Sequence, residues 1–296
     1  MASRSWRRSA HAWLFLAPAG VLLLLFVAWP MLRMLLWSFQ DARLLDPAAA
    51  GWAGLGNYSD LLGDPRFRRA FRNTALFALM VVPLQTALAL LLALWVNRPE
   101  PWWRWLRVVF FLPVVVSMPV LAVTWTMLYQ PARAGRMGLI NAALDLVGLP
   151  TQAWLGDPRL ALPAIAFMSV WQGVGFQMMI CLAGLQNLPR EHVEAALVDG
   201  AGPVSRLFHI VIPGIKNSLV FAVIVTTILS FRLFVQPYLM TRGGPEDRTL
   251  SVVQWVYEST FLAGDLDLAC AAAFLLLLLV GAVSLVQKRL TREERA

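Results

Sequence analysis

Long apolar runs separated by short clusters of charge dominate the pattern of this 296-residue chain. Runs without any Asp, Glu, Lys or Arg are 9–32, 73–97, 108–132, 160–189 and 268–287. A sixth run, 217–240, is interrupted only by Arg232. About 20 apolar residues are enough for a helix to cross a bilayer core of roughly 30 Å. Because a backbone in hydrocarbon must satisfy its own hydrogen bonds, each run is predicted to be helical.

The pattern therefore predicts an all-α integral membrane protein with six transmembrane helices. The transmembrane domain is predicted over 13–287, between tails at 1–12 and 288–296. The six predicted spans are 13–38, 75–96, 108–129, 162–185, 217–240 and 268–287. Prolines within or near the spans predict kinks, since each removes a backbone donor. They are Pro30, Pro83, Pro113, Pro119, Pro163 and Pro237.

Composition excludes an ordinary soluble domain, because only 14% of the residues are charged and the mean hydropathy is +0.64. The first run follows Arg4, Arg7 and Arg8 and could resemble a signal peptide. However, the apolar sequence continues to Trp37, which is too long for a cleaved segment and predicts an uncleaved helix.

The distribution of Lys and Arg predicts that both termini are cytoplasmic. The predicted inner segments carry 13 Lys and Arg residues and the outer segments carry 10. This bias is modest, but the N-terminal arginines adjoin the first helix, which usually dominates orientation. The basic tail after residue 287 favours the same arrangement.

The connection between the fourth and fifth spans, 186–216, is predicted to be a cytoplasmic pair of helices. Asn187 is predicted to cap a helix that begins near Pro189 and ends near Gly200. A second helix follows from Pro203 to Ile212, with an apolar stripe at helical spacing. The stripe comprises Val204, Leu207, Phe208, Val211 and Ile212. Two interpretations remain open: a helix lying on the membrane surface or a helix docked onto a cytoplasmic partner.

Specific residues in this connection resemble the EAA signature of binding-protein-dependent ABC importer permeases. Glu194-Ala-Ala196 is followed by Gly200 and then by Ile210-Val-Ile-Pro213. The family's pattern ends in I-x-L-P, and Ile212 takes the place of the leucine. Three further motifs are similar to the carbohydrate branch, of the maltose or glycerol-3-phosphate permease type. They are Gly54-Leu-Gly-Asn-Tyr58, Gly138-Leu-Ile-Asn141 and Thr241-Arg-Gly-Gly-Pro245.

The resemblance implies a larger machine around this chain. A second, similar permease completes the pathway, two ATPase subunits bind the cytoplasmic loops, and an extracytoplasmic binding protein delivers a sugar-like solute. ATP and Mg²⁺ are then cofactors of the ATPase, and this chain carries neither a catalytic site nor a metal site. The implied ATPase-coupling residues are Glu194, Ala195, Ala196, Asp199, Gly200, Ile210 and Pro213.

A solute pathway through the spans would need amides, hydroxyls and aromatic rings. The candidates are Trp171, Gln172, Ser230, Arg232, Phe234, Gln236 and Tyr238. An arginine at the centre of a span costs at least ~2.5–3.5 kcal/mol, so Arg232 needs a partner or a watery cavity. It is either a pathway residue or a member of a structural pair between helices. Arg33, near a helix end, is expected to snorkel.

Other functional classes fit the sequence less well. The only lysines, Lys216 and Lys288, do not follow a glycine, so the chain lacks a phosphate-binding P-loop. An ion-coupled secondary transporter would be expected to carry acids inside the spans, and none occurs there. An intramembrane enzyme would require a nucleophile with a base, or metal ligands. A related permease for a non-sugar solute remains an alternative.

Overall fold

The computed structural model describes residues 15–132 and 137–292. The predicted segment 1–12, with its three arginines, lies outside the described residues, as does the end of the tail from 293. The described chain forms two units. One contains the chain up to Asp64 together with Val256–Leu275, and the other contains Pro65–Trp255 together with the segment that begins at Leu276.

The first unit begins with helix α1, Phe15–Trp37, which includes a π-helical turn at Leu24–Ala28. A short antiparallel hairpin follows, with strands β1, Gln40–Arg43, and β2, Asp46–Trp52. The all-α prediction is therefore wrong at this point. The two-residue connection Leu44-Leu45 lets residues 40–52 pair their backbone groups with each other. Helix α2, Gly56–Gly63, comes next.

The second unit contains most of the helices. Its elements are α3, Pro65–Val96; α4, Pro101–Val115; α5, Met118–Leu128; α6, Leu139–Leu146; α7, Ala161–Gln186; α8, Arg190–Val198; α9, Pro203–Gly214; α10, Lys216–Phe231; and α11, Val235–Met240. Helix α12, Val252–Glu258, leads through a π-helical turn at Ser259–Ala263 to α13, Leu266–Arg292.

Four of these helices are individually long and apolar enough to cross a bilayer: α1, α3, α7 and α13 up to Arg289. Two bent pairs could each form a further, broken span. Helices α4 and α5 meet at 98°, and α9 and α10 meet at 73°. By length and composition, the described residues therefore offer four to six spans.

Proline explains the first of these bends. The sequence predicted one helix over 108–129, whereas the structure has extended backbone at Val116 and Ser117 between two helices. Pro119 has no N–H to donate to the carbonyl of Val115, four residues earlier, so the helical ladder is interrupted there.

A similar interruption divides the predicted span 217–240. Helix α10 ends at Phe231, and α11 begins only at Val235. Pro237 cannot donate to the carbonyl of Leu233, and the hydroxyl of Ser251 donates to that carbonyl instead, at 2.5 Å. The break is thus satisfied by hydrogen bonding from another segment, as an apolar surrounding requires.

Two apolar clusters hold the second unit together. One centres on Ile165 and Met168 of α7, packed against α3, α5 and the region of α11. The other centres on Met178 and Cys181 of α7, packed against α3 and Ile215. Helix α7 is therefore the central helix of the unit, and its large buried surface explains why its sequence is apolar on all sides.

Candidate functional site

A cavity of about 370 Å³ lies within the second unit, beside the break between α10 and α11. Helices α3, α5, α7, α10 and α11 all contribute to its wall. Four of the predicted pathway residues line it together: Gln172, Ser230, Arg232 and Gln236. The remaining lining residues are Phe77, Val81, Gln85, Met118, Ser169, Gly173, Thr226, Leu229, Leu233 and Val235. The wall thus combines amides and hydroxyls with apolar side chains, as small-molecule sites do.

Gln85 is a lining residue that the sequence analysis missed. It lies on α3, only 6% exposed, and its side-chain amide faces Gly173 of α7. A Cβ at Gly173 would come within 2.7 Å of the Gln85 amide nitrogen, so this glycine makes room for the amide. The sequence could have indicated Gln85 by its polar amide within an apolar helix, because such side chains seldom face lipid.

Gln177 holds three helices together and contacts Thr226, which lines the same cavity. Its amide nitrogen contacts the Thr226 hydroxyl and donates to the carbonyl of Ala222 at 3.1 Å. It also lies 3.5 Å from the Thr86 hydroxyl. The residue is fully buried, so it connects α3, α7 and α10 rather than facing a solute.

Among the described residues that line the cavity, Arg232 is the only charged one. It caps the C-terminus of α10, where its backbone N–H bonds the carbonyls of Ile228 and Leu229. Its side chain is exposed and has no hydrogen bond or ion pair with any residue that the structure describes. A structural ion pair within the described chain is thereby excluded for Arg232.

Three aromatic candidates do not line the cavity. Trp171 is 41% exposed and packs against Trp125, with ring centroids 5.4 Å apart. Phe234 and Tyr238 stack on one another with centroids 5.2 Å apart, and Arg242 lies over the Tyr238 ring. Phe77 of α3 is the aromatic residue that the structure places in the wall.

The predicted pair of helices at 186–216 is present as α8 and α9. Asn187 does not cap α8, because it ends α7 and its side chain bonds the Ala183 carbonyl of that helix at 3.0 Å. Helix α8 begins after Pro189 without a side-chain cap and ends at Val198. Gly200 then has φ +76°, a left-handed conformation that glycine adopts without steric cost.

The surface of this pair combines apolar and acidic side chains. Glu194, Ala195 and Asp199 are exposed, whereas Ala196 is 8% exposed. Apolar residues project beside them: Leu197 is 52%, Val198 88%, Val204 66% and Phe208 59% exposed. The predicted apolar stripe is therefore only partly exposed. Val204 and Phe208 face outward, whereas Leu207, Val211 and Ile212 are half-buried. Ile210 is also half-buried, and Pro213 is exposed.

Comparison with known proteins identifies the family. Residues 85–295 match the family of binding-protein-dependent transport system inner membrane components. The chain belongs to this family. It is accordingly a multi-pass inner-membrane permease of a binding-protein-dependent transport system.

Similar proteins extend over almost the whole chain. The probable ABC transporter permease protein YurN of Bacillus subtilis is 36% identical, with 94% of each chain covered. The sulfoquinovosyl glycerol transport system permease protein SmoG of Agrobacterium fabrum is 34% identical over 94% of this chain and 89% of its own.

A solved structure of similar fold belongs to a bacterial alginate ABC transporter in complex with an alginate pentasaccharide-bound periplasmic protein. Its matching chain superposes with a TM-score of 0.83 at 19% identity, covering 98% of this chain and 96% of that one.

Proposed function

We propose that this permease forms half of the solute pathway of an ATP-driven importer for a sugar or sugar-like solute. The α8–α9 pair is the element that couples it to a separate ATPase. The observation that supports this proposal is the apolar surface of the pair, formed by Leu197, Val198, Val204 and Phe208. Several large apolar side chains exposed on neighbouring helices are typical of a binding site for another protein.

A protein partner accounts for this surface better than the membrane does. An amphipathic helix that lies on anionic lipid is usually rich in Lys and Arg on its polar face. Residues 190–213 contain three acids and two arginines, so they are not basic. Glu194 and Asp199 would be repelled by anionic headgroups, but each could pair with a basic side chain of a docked protein.

The proposed coupling residues have distinct roles at this interface. Glu194 supplies a charge, Ala195 allows close approach, and Gly200 permits the sharp turn between the helices. Ala196 and Ile210 support the pair from its inner side, while Asp199 and Pro213 mark the ends of its helices. ATP and Mg²⁺ bind to the ATPase in this arrangement, and the permease itself catalyses nothing.

The proposed topology has six spans, with the bent pairs α4–α5 and α9–α10 each counted as one. Both termini and residues 186–216 are cytoplasmic. The cavity beside Arg232 then belongs to the pathway, because transporter sites commonly form where membrane helices are interrupted. A second permease closes the cavity from the other side, and a binding protein delivers the solute from outside. The name of SmoG, a sulfoquinovosyl glycerol transport system permease protein, supports the carbohydrate class.

A pair of glycine substitutions tests the coupling role. Gly200→Asp places a charged side chain on the α8–α9 turn, whereas Gly148→Asp makes the same change at a left-handed glycine after α6. The two sites are matched, because their φ values are +76° and +72° and neither has an atom within 4 Å of an added Cβ. Both variants should therefore carry similar backbone strain.

We expect Gly200→Asp to abolish ATP-dependent uptake and to lower the amount of ATPase that copurifies with the permease, while membrane insertion is retained. Gly148→Asp should retain uptake and copurification. If Gly200→Asp transported solute normally, or if both variants failed equally, the coupling role would be refuted. Uptake that depended on an ion gradient rather than on ATP would indicate a secondary transporter instead.

A further inference from the structure

The cavity wall combines groups that suit a sugar with one positive charge. Its polar groups are the amides of Gln85, Gln172 and Gln236 and the hydroxyls of Ser169, Thr226 and Ser230. Hydroxyls and amides of this kind can bind sugar hydroxyls. Arg232 adds one formal positive charge, and no lining residue carries a negative charge.

The residues that the structure describes compensate this positive charge only in part. The C-terminus of α10 carries a partial negative charge that favours a nearby cation only modestly. A guanidinium inside a membrane costs more than a helix terminus returns. The acidic Asp247 does not supply the balance, because its carboxylate faces Arg66 at 3.4 Å and Arg69 at 3.6 Å.

Arg33, the other arginine within the predicted spans, is stabilised by aromatic rings. Its guanidinium lies over the rings of Trp29, at 5.8 Å, and Trp37, at 5.1 Å. Such cation–π contacts stabilise a charge at the margin of an apolar region. No comparable contact exists for Arg232 among the residues in 15–132 and 137–292.

We propose that the transported sugar carries an anionic group, either a carboxylate, a sulfonate or a phosphate, and that Arg232 receives it. This inference rests on the proposed role of the cavity in solute passage. The planar guanidinium can donate two parallel hydrogen bonds to such a group. Gln172, Gln236 and Ser230, which line the same cavity, then bind the sugar hydroxyls.

Matched solutes test the inference in the complete transporter, reconstituted in proteoliposomes with its binding protein. The probes are disaccharide pairs that differ only in a C6 carboxylate, such as cellobiose and cellobiouronic acid, together with sulfonated and phosphorylated sugars of the same size. We expect ATP-dependent uptake with kcat/KM at least tenfold higher for the anionic member of a pair. Preference for a neutral sugar would overturn the inference and leave the permease proposal intact. Failure to take up any of these sugars would contradict both proposals.

Variants of Arg232 provide the second part of the test. Arg232→Gln should lower the ratio of anionic to neutral uptake about tenfold or more, since hydrogen bonds to charged groups are among the stronger ones. Arg232→Lys should preserve most of the preference, and Arg33→Gln, the matched membrane arginine, should leave it unchanged. The ratio is measured within one preparation, so it does not depend on how much protein folds.

Equal loss of anionic and neutral uptake in Arg232→Gln would show a structural role and overturn the inference. If Arg232→Gln does not assemble, the ratio of anionic to neutral uptake in Arg232→Lys tests the inference instead. A lysine variant that assembles and keeps the anionic preference supports the inference, and one that transports both sugars equally refutes it.

Discussion

The side-chain amide of Asn73 donates a hydrogen bond to the backbone carbonyl of Leu250 at 3.0 Å, although 177 positions separate the two residues. The same amide donates to the carbonyl of Asp247 at 2.7 Å. The neighbouring Thr74 hydroxyl accepts from the backbone N–H of Val252 at 3.0 Å. These hydrogen bonds from α3 hold the segment that follows α11 in place. They explain why the residues after Thr241-Arg-Gly-Gly-Pro245 are ordered.

This fastening supports a strained backbone. Arg242, Glu246 and Asp247 have φ values of +53°, +52° and +58°, a region that residues with a Cβ rarely adopt. Conformations of this kind persist only when their surroundings impose them. The bonds from Asn73 to the carbonyls of Asp247 and Leu250 supply that constraint.

Asn73→Ala should therefore lower the free energy of unfolding by about 2 kcal/mol or more, because two carbonyls lose their donor. The measurement is thermal unfolding of the purified transporter, combined with limited proteolysis of the 241–251 segment. Asn187→Ala is the control, since its exposed side chain bonds only its own helix. Equal stability of the two variants would show that Asn73 does not fasten this segment.

Asn141 fastens a second loop within the same unit. Its amide nitrogen donates to the carbonyls of Gln130 and Gln152, and its oxygen accepts from the Gln152 backbone and from the Trp154 indole. We expect Asn141→Ala to cost about 2–4 kcal/mol of stability, because several buried polar groups lose their partner together. Tryptophan fluorescence during unfolding reports the change.

Gln152→Ala is the matched control for Asn141→Ala. It removes a side chain whose amide bonds only the Pro150 carbonyl at 3.3 Å, while the backbone bonds to Asn141 remain. Its effect should stay within about 0.5 kcal/mol. If Gln152→Ala lowered the free energy of unfolding as much as Asn141→Ala does, the hydrogen bonds of Asn141 would not explain the stability of this loop.

Gly175 lies where α7 crosses α4 at very close range. A Cβ added at this glycine would meet the Phe110 carbonyl oxygen at 2.0 Å, and the neighbouring atoms are also backbone. Gly175→Ala should lower stability by about 2–3 kcal/mol, since the two helices must separate. Gly281→Ala on α13 has nothing within 4 Å and should be neutral or stabilising by up to ~1 kcal/mol. Thermal unfolding of both variants compares them, and similar midpoints would refute the close crossing.

Single cysteines can test the proposed topology. Val198 and Leu146 are 88% and 87% exposed, and they lie in segments proposed to face opposite sides of the membrane. The native Cys181 and Cys270 are buried, so their background labelling should be low. In whole cells that produce this permease without its ATPase, an impermeant maleimide should label Leu146→Cys, whereas Val198→Cys should react only after permeabilisation. Labelling of Val198→Cys in intact cells would reverse the proposed orientation.

The sequence alone determined where helices form and which segments connect them. Runs without charge predicted the apolar helices, and the Pro189 to Pro213 pattern predicted both helices of the α8–α9 pair. These features depend on neighbouring residues, because backbone hydrogen bonding in an apolar environment is satisfied within a helix. The same local reasoning misplaced Asn187, whose side chain bonds backward into α7. It predicted a kink at Pro119, but not the 98° bend that separates α4 from α5.

Tertiary structure decided which polar side chains meet. Gln85, Gln172, Ser230 and Gln236 line one cavity, although they come from four different helices. Ser251 satisfies the carbonyl that Pro237 leaves without a donor, and no local periodicity connects those two residues. Hydropathy is a property of each segment by itself. Which helix faces pack together depends on the shapes and hydrogen bonds of residues that are distant in sequence. Only the folded chain therefore shows that a cavity forms and that Arg232 lies in its wall without an acidic neighbour among the lining residues described.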